Sequence, residues 1–180
     1  MIKQTLNGKW LFKEFNQKQW YEATVPGTVY TDLLNNHLME NPYWKDNEQA
    51  ALKLMEKDYI YVKNFDISEE MIMCNKILLH FDGIDTAAGI FLNGQKLAHV
   101  DNMHRIWEFD VKGYLKQSEN ELKIILESPL RYCETAFEKC KTLGSEDAID
   151  GFVHMRKAHC MFGWDWGAHL PDAGIFRNVS

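Results

Sequence analysis

Asn93-Gly94 stands between two runs, Ala88 to Leu92 and Gln95 to Val100, near the middle of the chain. This dipeptide readily supplies the two successive positive φ angles of a type I′ turn, so a tight two-residue β-hairpin is predicted here. Strand signals surround it. Tyr59-Ile60-Tyr61-Val62 and Phe65-Asp66-Ile67 mix aromatic and β-branched residues, and Lys76-Ile77-Leu78-Leu79-His80-Phe81 is a nearly continuous apolar run. Arg105 to Val111 alternates apolar and polar residues, and Glu121 to Leu126 follows after a polar turn. Each of these should face a core on one side.

Helical patterns are fewer. Thr28 to Met39 carries Val29, Leu33, Leu34 and Leu38 on one face, and Asn47 to Lys57 opens with an Asn suited to capping. Tyr132 to Leu143 is a third short candidate. Many short strands, with helices confined to connections, favour an all-β sandwich over an alternating α/β fold. No internal repeat, low-complexity tract or linker divides residues 1–180, so one domain is expected. A domain of this length buries roughly 70% of the surface its unfolded chain exposes. Gly174 to Ser180 reads as a strand that stops without a turn, which suggests a domain border.

The chain has 46% hydrophobic and 26% charged residues, which fits a globular protein and argues against a disordered or collagen-like one. Its net charge of -6 has the wrong sign for a nucleic-acid binder, and no basic run offsets it locally. No stretch approaches the roughly 20 apolar residues of a membrane span. Met1-Ile2-Lys3-Gln4 leads directly into patterned sequence without a signal-peptide core. A cytoplasmic protein with neither nucleic acid nor membrane as partner is the expectation. Cys74, Cys133, Cys140 and Cys160 contain no Cys-x-x-Cys pair and are too sparse for a disulfide framework, so free thiols are expected.

The densest concentration of chemistry is Arg156-Lys157-Ala158-His159-Cys160-Met161-Phe162-Gly163-Trp164-Asp165-Trp166-Gly167. An acid lies there between two tryptophans, bracketed by glycines that allow a tight turn. An indole covers the apolar C–H face of a pyranose, and a carboxylate accepts charge-assisted hydrogen bonds from its hydroxyls. From composition alone, buried tryptophans with a turn-capping Asp165 are the commoner arrangement. Arg156 and Arg177 either pair with Asp165 or Asp172 to orient the loop or are solvated surface groups. His154, His159, Cys160 and His169 form a second cluster, but their spacing matches no standard zinc pattern, so neither metal nor cofactor is expected. Core packing is the expectation for Trp10, Trp20, Trp44 and Trp107.

An ordered series of motifs resembles the amino-terminal, sugar-binding domain of glycoside hydrolase family 2, which contains β-mannosidases, β-galactosidases and β-glucuronidases. The series runs through Leu6-Asn7-Gly8-Lys9-Trp10, Val25-Pro26-Gly27-Thr28-Val29, Asn41-Pro42-Tyr43 with Asn47-Glu48, and Asp58-Tyr59-Ile60-Tyr61. It continues with Phe81-Asp82-Gly83-Ile84-Asp85-Thr86, Leu92-Asn93-Gly94, Asn102-Met103-His104 and Asn120-Glu121-Leu122. Arg156-Lys157, Gly163-Trp164-Asp165-Trp166-Gly167 and Gly174-Ile175-Phe176-Arg177 complete it, and Arg156-Lys157 followed by Trp-Asp-Trp-Gly resembles the mannosidase branch.

The resemblance implies a jelly-roll sandwich similar to galactose-binding domains, followed in the whole enzyme by immunoglobulin-like domains and a (β/α)₈ barrel. It places both catalytic glutamates in that barrel, so this chain is expected to be inactive alone and to have the barrel and a β-mannoside or related saccharide as partners. By the same likeness Asp165 binds hydroxyls of the terminal sugar, Trp164 and Trp166 shape the pocket, and Arg156, Lys157 and Arg177 support it. Asn47-Glu48 and Asn120-Glu121 mimic the Asn-Glu pair of the barrel's acid/base but match the domain's own pattern, so both read as structural. The chain departs from the common form at Ala168, where the family often has Pro, and continues His169-Leu170. A free-standing carbohydrate-binding module and a structural spacer with an exposed apolar patch are the alternatives.

Overall fold

Alternation along β1 (Gly8–Glu14) turns Trp10 and Phe12 inward and leaves Leu11 between them exposed. The same period of two governs β2 (Tyr21–Val25), which buries Ala23 and Val25. In the computed structural model, which describes residues 2–165 and 167–180, there follow α1 (Val29–Asn35), α2 (Asn47–Met55), β3 (Tyr59–Phe65), α3 (Glu69–Ile72) and β4 (Leu78–Phe81). Next come β5 (Ala87–Leu92), β6 (Gln95–Asp101), β7 (Trp107–Asp110), β8 (Asn120–Leu126), α4 (Pro129–Lys139), β9 (Phe162–Trp164) and β10 (Gly167–His169).

Six strands make one sheet in the order β2-β1-β3-β8-β5-β6, with every pairing antiparallel. The β5–β6 turn has Asn93 at φ 51° and Gly94 at φ 79°, the two positive angles anticipated from the dipeptide. A second layer consists of antiparallel β4 and β7. The carboxy-terminal segment extends this layer, with reciprocal backbone bonds between His80 and Ser180 and a bond from Asp82 N–H to the Asn178 carbonyl. Phe12, Tyr61, Ile90, Leu122 and Ile124 of the large sheet meet Leu79, Phe81 and Val179 of the small layer in one core. The chain is thus an all-β sandwich with short helices in its connections.

Polar groups inside the sandwich are matched. Asp32 of α1 accepts from Tyr61 Oη at 2.7 Å and from the backbone N–H of Thr24 at 3.0 Å, tying the helix to β3 and β2. Burial raises the Asp32 carboxyl above the usual carboxylate range, and the Tyr61 bond opposes that shift. The Trp10 indole donates to the Leu6 carbonyl at 2.8 Å.

Several local expectations change. α2 is capped by Asp46 through its position and not by Asn47, whose side chain instead donates to the Asn41 carbonyl at 2.9 Å. α4 starts at Pro129, where Ser128 caps it and the proline has no N–H to leave unpaired. Trp10 is buried and Trp107 packs against the core, but Trp20 and Trp44 do not belong to it, being 41% and 62% exposed. Each of those two lies in a connection beneath a lysine, with Lys13 and Lys45 at 5.1 and 5.6 Å from the respective ring centroids. A covering ammonium thus replaces core packing.

Candidate functional site

Phe162 begins β9 from a fully buried position, packed with Ala87, Cys133, Phe152 and Met155 in a small cluster separate from the main core. Two residues later the strand has emerged, with Trp164 at 49% exposure. Asp165 follows in the turn and is exposed. Gly167 pairs with Trp164 and His169 with Phe162, so the returning strand closes a short antiparallel hairpin. This hairpin is a two-stranded sheet of its own. Its base is fastened by bonds from Ile149 N–H to the Phe162 carbonyl and from Leu170 N–H to the Met161 carbonyl.

Asp165 therefore lies outside any closed apolar interior, at the tip of an element whose root is buried, with a half-exposed indole beside it. A carboxylate so placed can accept bonds from hydroxyl groups while the indole covers a sugar's C–H face. Trp166 falls outside the described residues. Arg156 is exposed and lies on an open concavity of about 830 Å³ shared with Asn102, His104, His154 and His159. Its backbone bridges Asn102, and among the described residues it forms no ion pair. Arg177 is exposed too, its guanidinium 5.2 Å from the Phe176 ring centroid. Neither pairs with Asp165 or Asp172 among the described residues.

Lys157 is the buried cation of the group. Its ammonium bonds the Asp85 carboxylate and donates to the Asp172 carbonyl at 2.6 Å. Burial pulls the ammonium below its usual range, while the Asp85 carboxylate pushes it the other way. Asp172 accepts the backbone N–H of Tyr30 at 3.0 Å and of Ala173 at 2.8 Å, and burial pushes its carboxyl up to about 6. Reciprocal bonds between the backbones of Asp85 and Gly174 close this network around the carboxy-terminal segment. Lys157 thus joins the strand approach leading to β9 to the segment leaving β10.

The histidines are spread among different partners. His154 Nε2 lies 2.9 Å from the Cys140 carbonyl, His159 Nε2 lies 3.2 Å from the Met155 carbonyl, and His169 contacts Glu48 and the Asp147 carbonyl. Among the described residues no three metal-ligating side chains converge. A separate apolar cleft of about 500 Å³, bordered by Ile2, Ile67, Met71, Leu78 and Val111, shares no residue with the hairpin. The four cysteines are unbridged. Among the described residues no helix is long and apolar enough to cross a membrane.

The sequence reading takes Glu48 as structural but misses its partner, His169 of β10, which its side chain reaches from α2. It also misses Asp85 as the partner of Lys157. Both contacts join residues far apart in the chain, and neither leaves a local pattern.

The model of the glycosyl hydrolase 2 galactose-binding domain-like family matches residues 10–177. The β-mannosidase of Bos taurus is 31% identical over 183 residues, covering 97% of this chain and 21% of that protein. The crystal structure of the β-D-mannosidase of Dictyoglomus thermophilum superposes with a TM-score of 0.94 and 40% identity, over 98% of this chain and 22% of that one. An exo-chitosanase of Amycolatopsis orientalis, with 17% identity and a TM-score of 0.60 over 69% of this chain and 17% of its own, shares the fold. The chain spans about a fifth of the length of the curated relatives it matches.

Proposed function

We propose that this chain, which belongs to the glycosyl hydrolase 2 galactose-binding domain-like family, supplies one wall of the terminal-sugar pocket in a retaining β-mannosidase. The carrying observation is the exposed Asp165 beside half-exposed Trp164, on a hairpin rooted in the domain by buried Phe162. Asp165 accepts hydroxyls of the terminal mannose, and Trp164 with Trp166 lines its apolar face. Lys157 holds the root of the pocket through Asp85, and Arg156 and Arg177 stand on the surrounding surface.

Hydrolysis with retention takes two carboxyl groups about 5 Å apart, one as nucleophile and one as acid/base. A barrel elsewhere in the whole enzyme supplies both, so the chain by itself is inactive and its partners are that barrel and a β-mannoside. The β-mannosidase relatives, which are almost five times longer, support this division of labour. The reading extends to a cytoplasmic enzyme, consistent with four unbridged cysteines.

In the full-length enzyme, Asp165→Ala is expected to lower kcat/KM on an aryl β-mannoside at least about tenfold, the value of one charge-assisted hydrogen bond, with Tm nearly unchanged. Parental turnover in that variant overturns the assignment. Exposure of the tip also suits a carbohydrate-binding module acting alone. Isothermal calorimetry of the 180-residue chain with a mannoside separates the two, since a module gives a saturable binding heat and half a pocket gives almost none.

A further inference from the structure

We infer that Glu48 and His169 are positioning residues for Asp165, an assignment that rests on the sugar-wall reading. One carboxylate oxygen of Glu48 holds β10 twice, accepting the backbone N–H of His169 at 3.0 Å and lying 2.7 Å from its ring Nδ1. An ionised carboxylate can only accept, so Nδ1 is the donor. The ring's Nε2 reaches the Asp147 carbonyl at 2.7 Å. The imidazole is thereby held to α2 through Nδ1.

Its flat side is fixed as well. Gly163 has φ +101°, and a Cβ added there would collide with the His169 ring. Glycine thus lets the ring lie directly against β9, two residues before Asp165. Among the described residues the hairpin has no strand neighbour in either main sheet, so the direction of its tip depends on this clamp and on the bonds at its base. Glu48 itself sits on a firm platform, since α2 buries Ala51 and Met55 in the main core. The helix start is tied back by Asn47, whose side chain donates to the Asn41 carbonyl and whose N–H donates to the Trp44 carbonyl. The two residues of the Asn47-Glu48 motif therefore act in series. Asn47 fixes the start of the helix, and Glu48 carries that rigidity to the loop holding the sugar-binding acid. Small displacements matter here, because misplacing a substrate contact by about 1 Å can cost on the order of a hundredfold in rate.

The test is a double-mutant cycle in the full-length enzyme, reading kcat and KM separately on an aryl β-mannoside. Glu48→Ala should lower kcat/KM about tenfold, whereas Glu48→Gln, whose amide oxygen still accepts, should stay within about threefold of the parent. In an Asp165→Ala background, Glu48→Ala should cost less than about twofold, because the group it positions is gone. A purely structural role predicts the same loss in both backgrounds. Equal losses, or parental kcat/KM for Glu48→Ala when Asp165→Ala is impaired, overturn the positioning role and leave the sugar wall standing. Parental activity for Asp165→Ala itself brings down both. If Glu48→Ala fails to fold by circular dichroism, His169→Gln takes its place in the cycle with the same expectations.

Discussion

Replacing Lys157 by Met asks how strongly the domain depends on one buried charge. The Lys157 side chain is fully buried and that of Asp85 is 5% exposed, so Lys157→Met removes the only basic side chain paired with that carboxylate among the described residues. The methionine fills a similar volume, so the loss comes from an uncompensated buried charge and not from a cavity. Breaking such a pair from one side costs about 3–5 kcal/mol. At about 2–4 °C per kcal/mol for a domain of this size, Tm should fall by roughly 10 °C. The loss of the bond to the Asp172 carbonyl, 2.6 Å away, adds to the effect. Urea denaturation of the 180-residue chain, followed by far-ultraviolet circular dichroism at pH 7, measures it. Lys157→Met with Asp85→Asn should recover at least half of the loss, because the Asp85 charge that lost its partner is removed as well. A single variant within about 1 kcal/mol of the parent, the scale of an ordinary exposed ion pair, would refute the reasoning.

Burial sets the other two expectations. Asp172 has its carboxyl pushed up from 3.8 to about 6, so the folded chain keeps a proton that the unfolded chain has released between those values. The stability from this group is fully present below about pH 4 and is lost as pH rises through about 6. The stability of the parent relative to Asp172→Asn should therefore fall by on the order of 3 kcal/mol between pH 4 and pH 7, and a flat difference across that range counts against it. Burial also pushes the Cys133 thiol up to about 12, while Cys140 and Cys160 are exposed. Brief iodoacetamide treatment of the native chain at pH 8 should label the exposed pair and spare Cys133 until denaturant is added; equal labelling by peptide mass spectrometry contradicts the placement.

The sequence reads most clearly where one residue pair determines a local conformation. Asn93-Gly94 places the central hairpin within a residue of its observed ends, because its positive φ angles admit few alternatives. Thr28 likewise announces α1, its hydroxyl oxygen accepting the Thr31 N–H. The Ser128-Pro129 start of α4 is equally local, but the apolar pattern further on outweighs it when periodicity alone sets the boundary. Burial statistics carry less. Trp20 and Trp44 are of a type that is usually well covered, yet their places in connections leave them outside the core. At the candidate site, Trp164 and Asp165 are singled out by the ordered motif series, since composition alone favours a buried arrangement, and both are exposed. The contacts of Glu48 and Asp85 are not legible, because each acquires its partner only when the chain brings together segments more than seventy residues apart.

The separation of the β9–β10 hairpin from both main sheets has an evolutionary consequence. On the proposed sugar-wall reading, selection on sugar preference can alter the outward residues of this small projection while the sandwich keeps its own folding requirements, provided that Phe162, Gly163 and the histidine-carboxylate clasp are conserved together. Diversification of specificity and maintenance of the scaffold thus fall on largely different codons, and a graft of the projection between relatives must carry the clasp along with the tip.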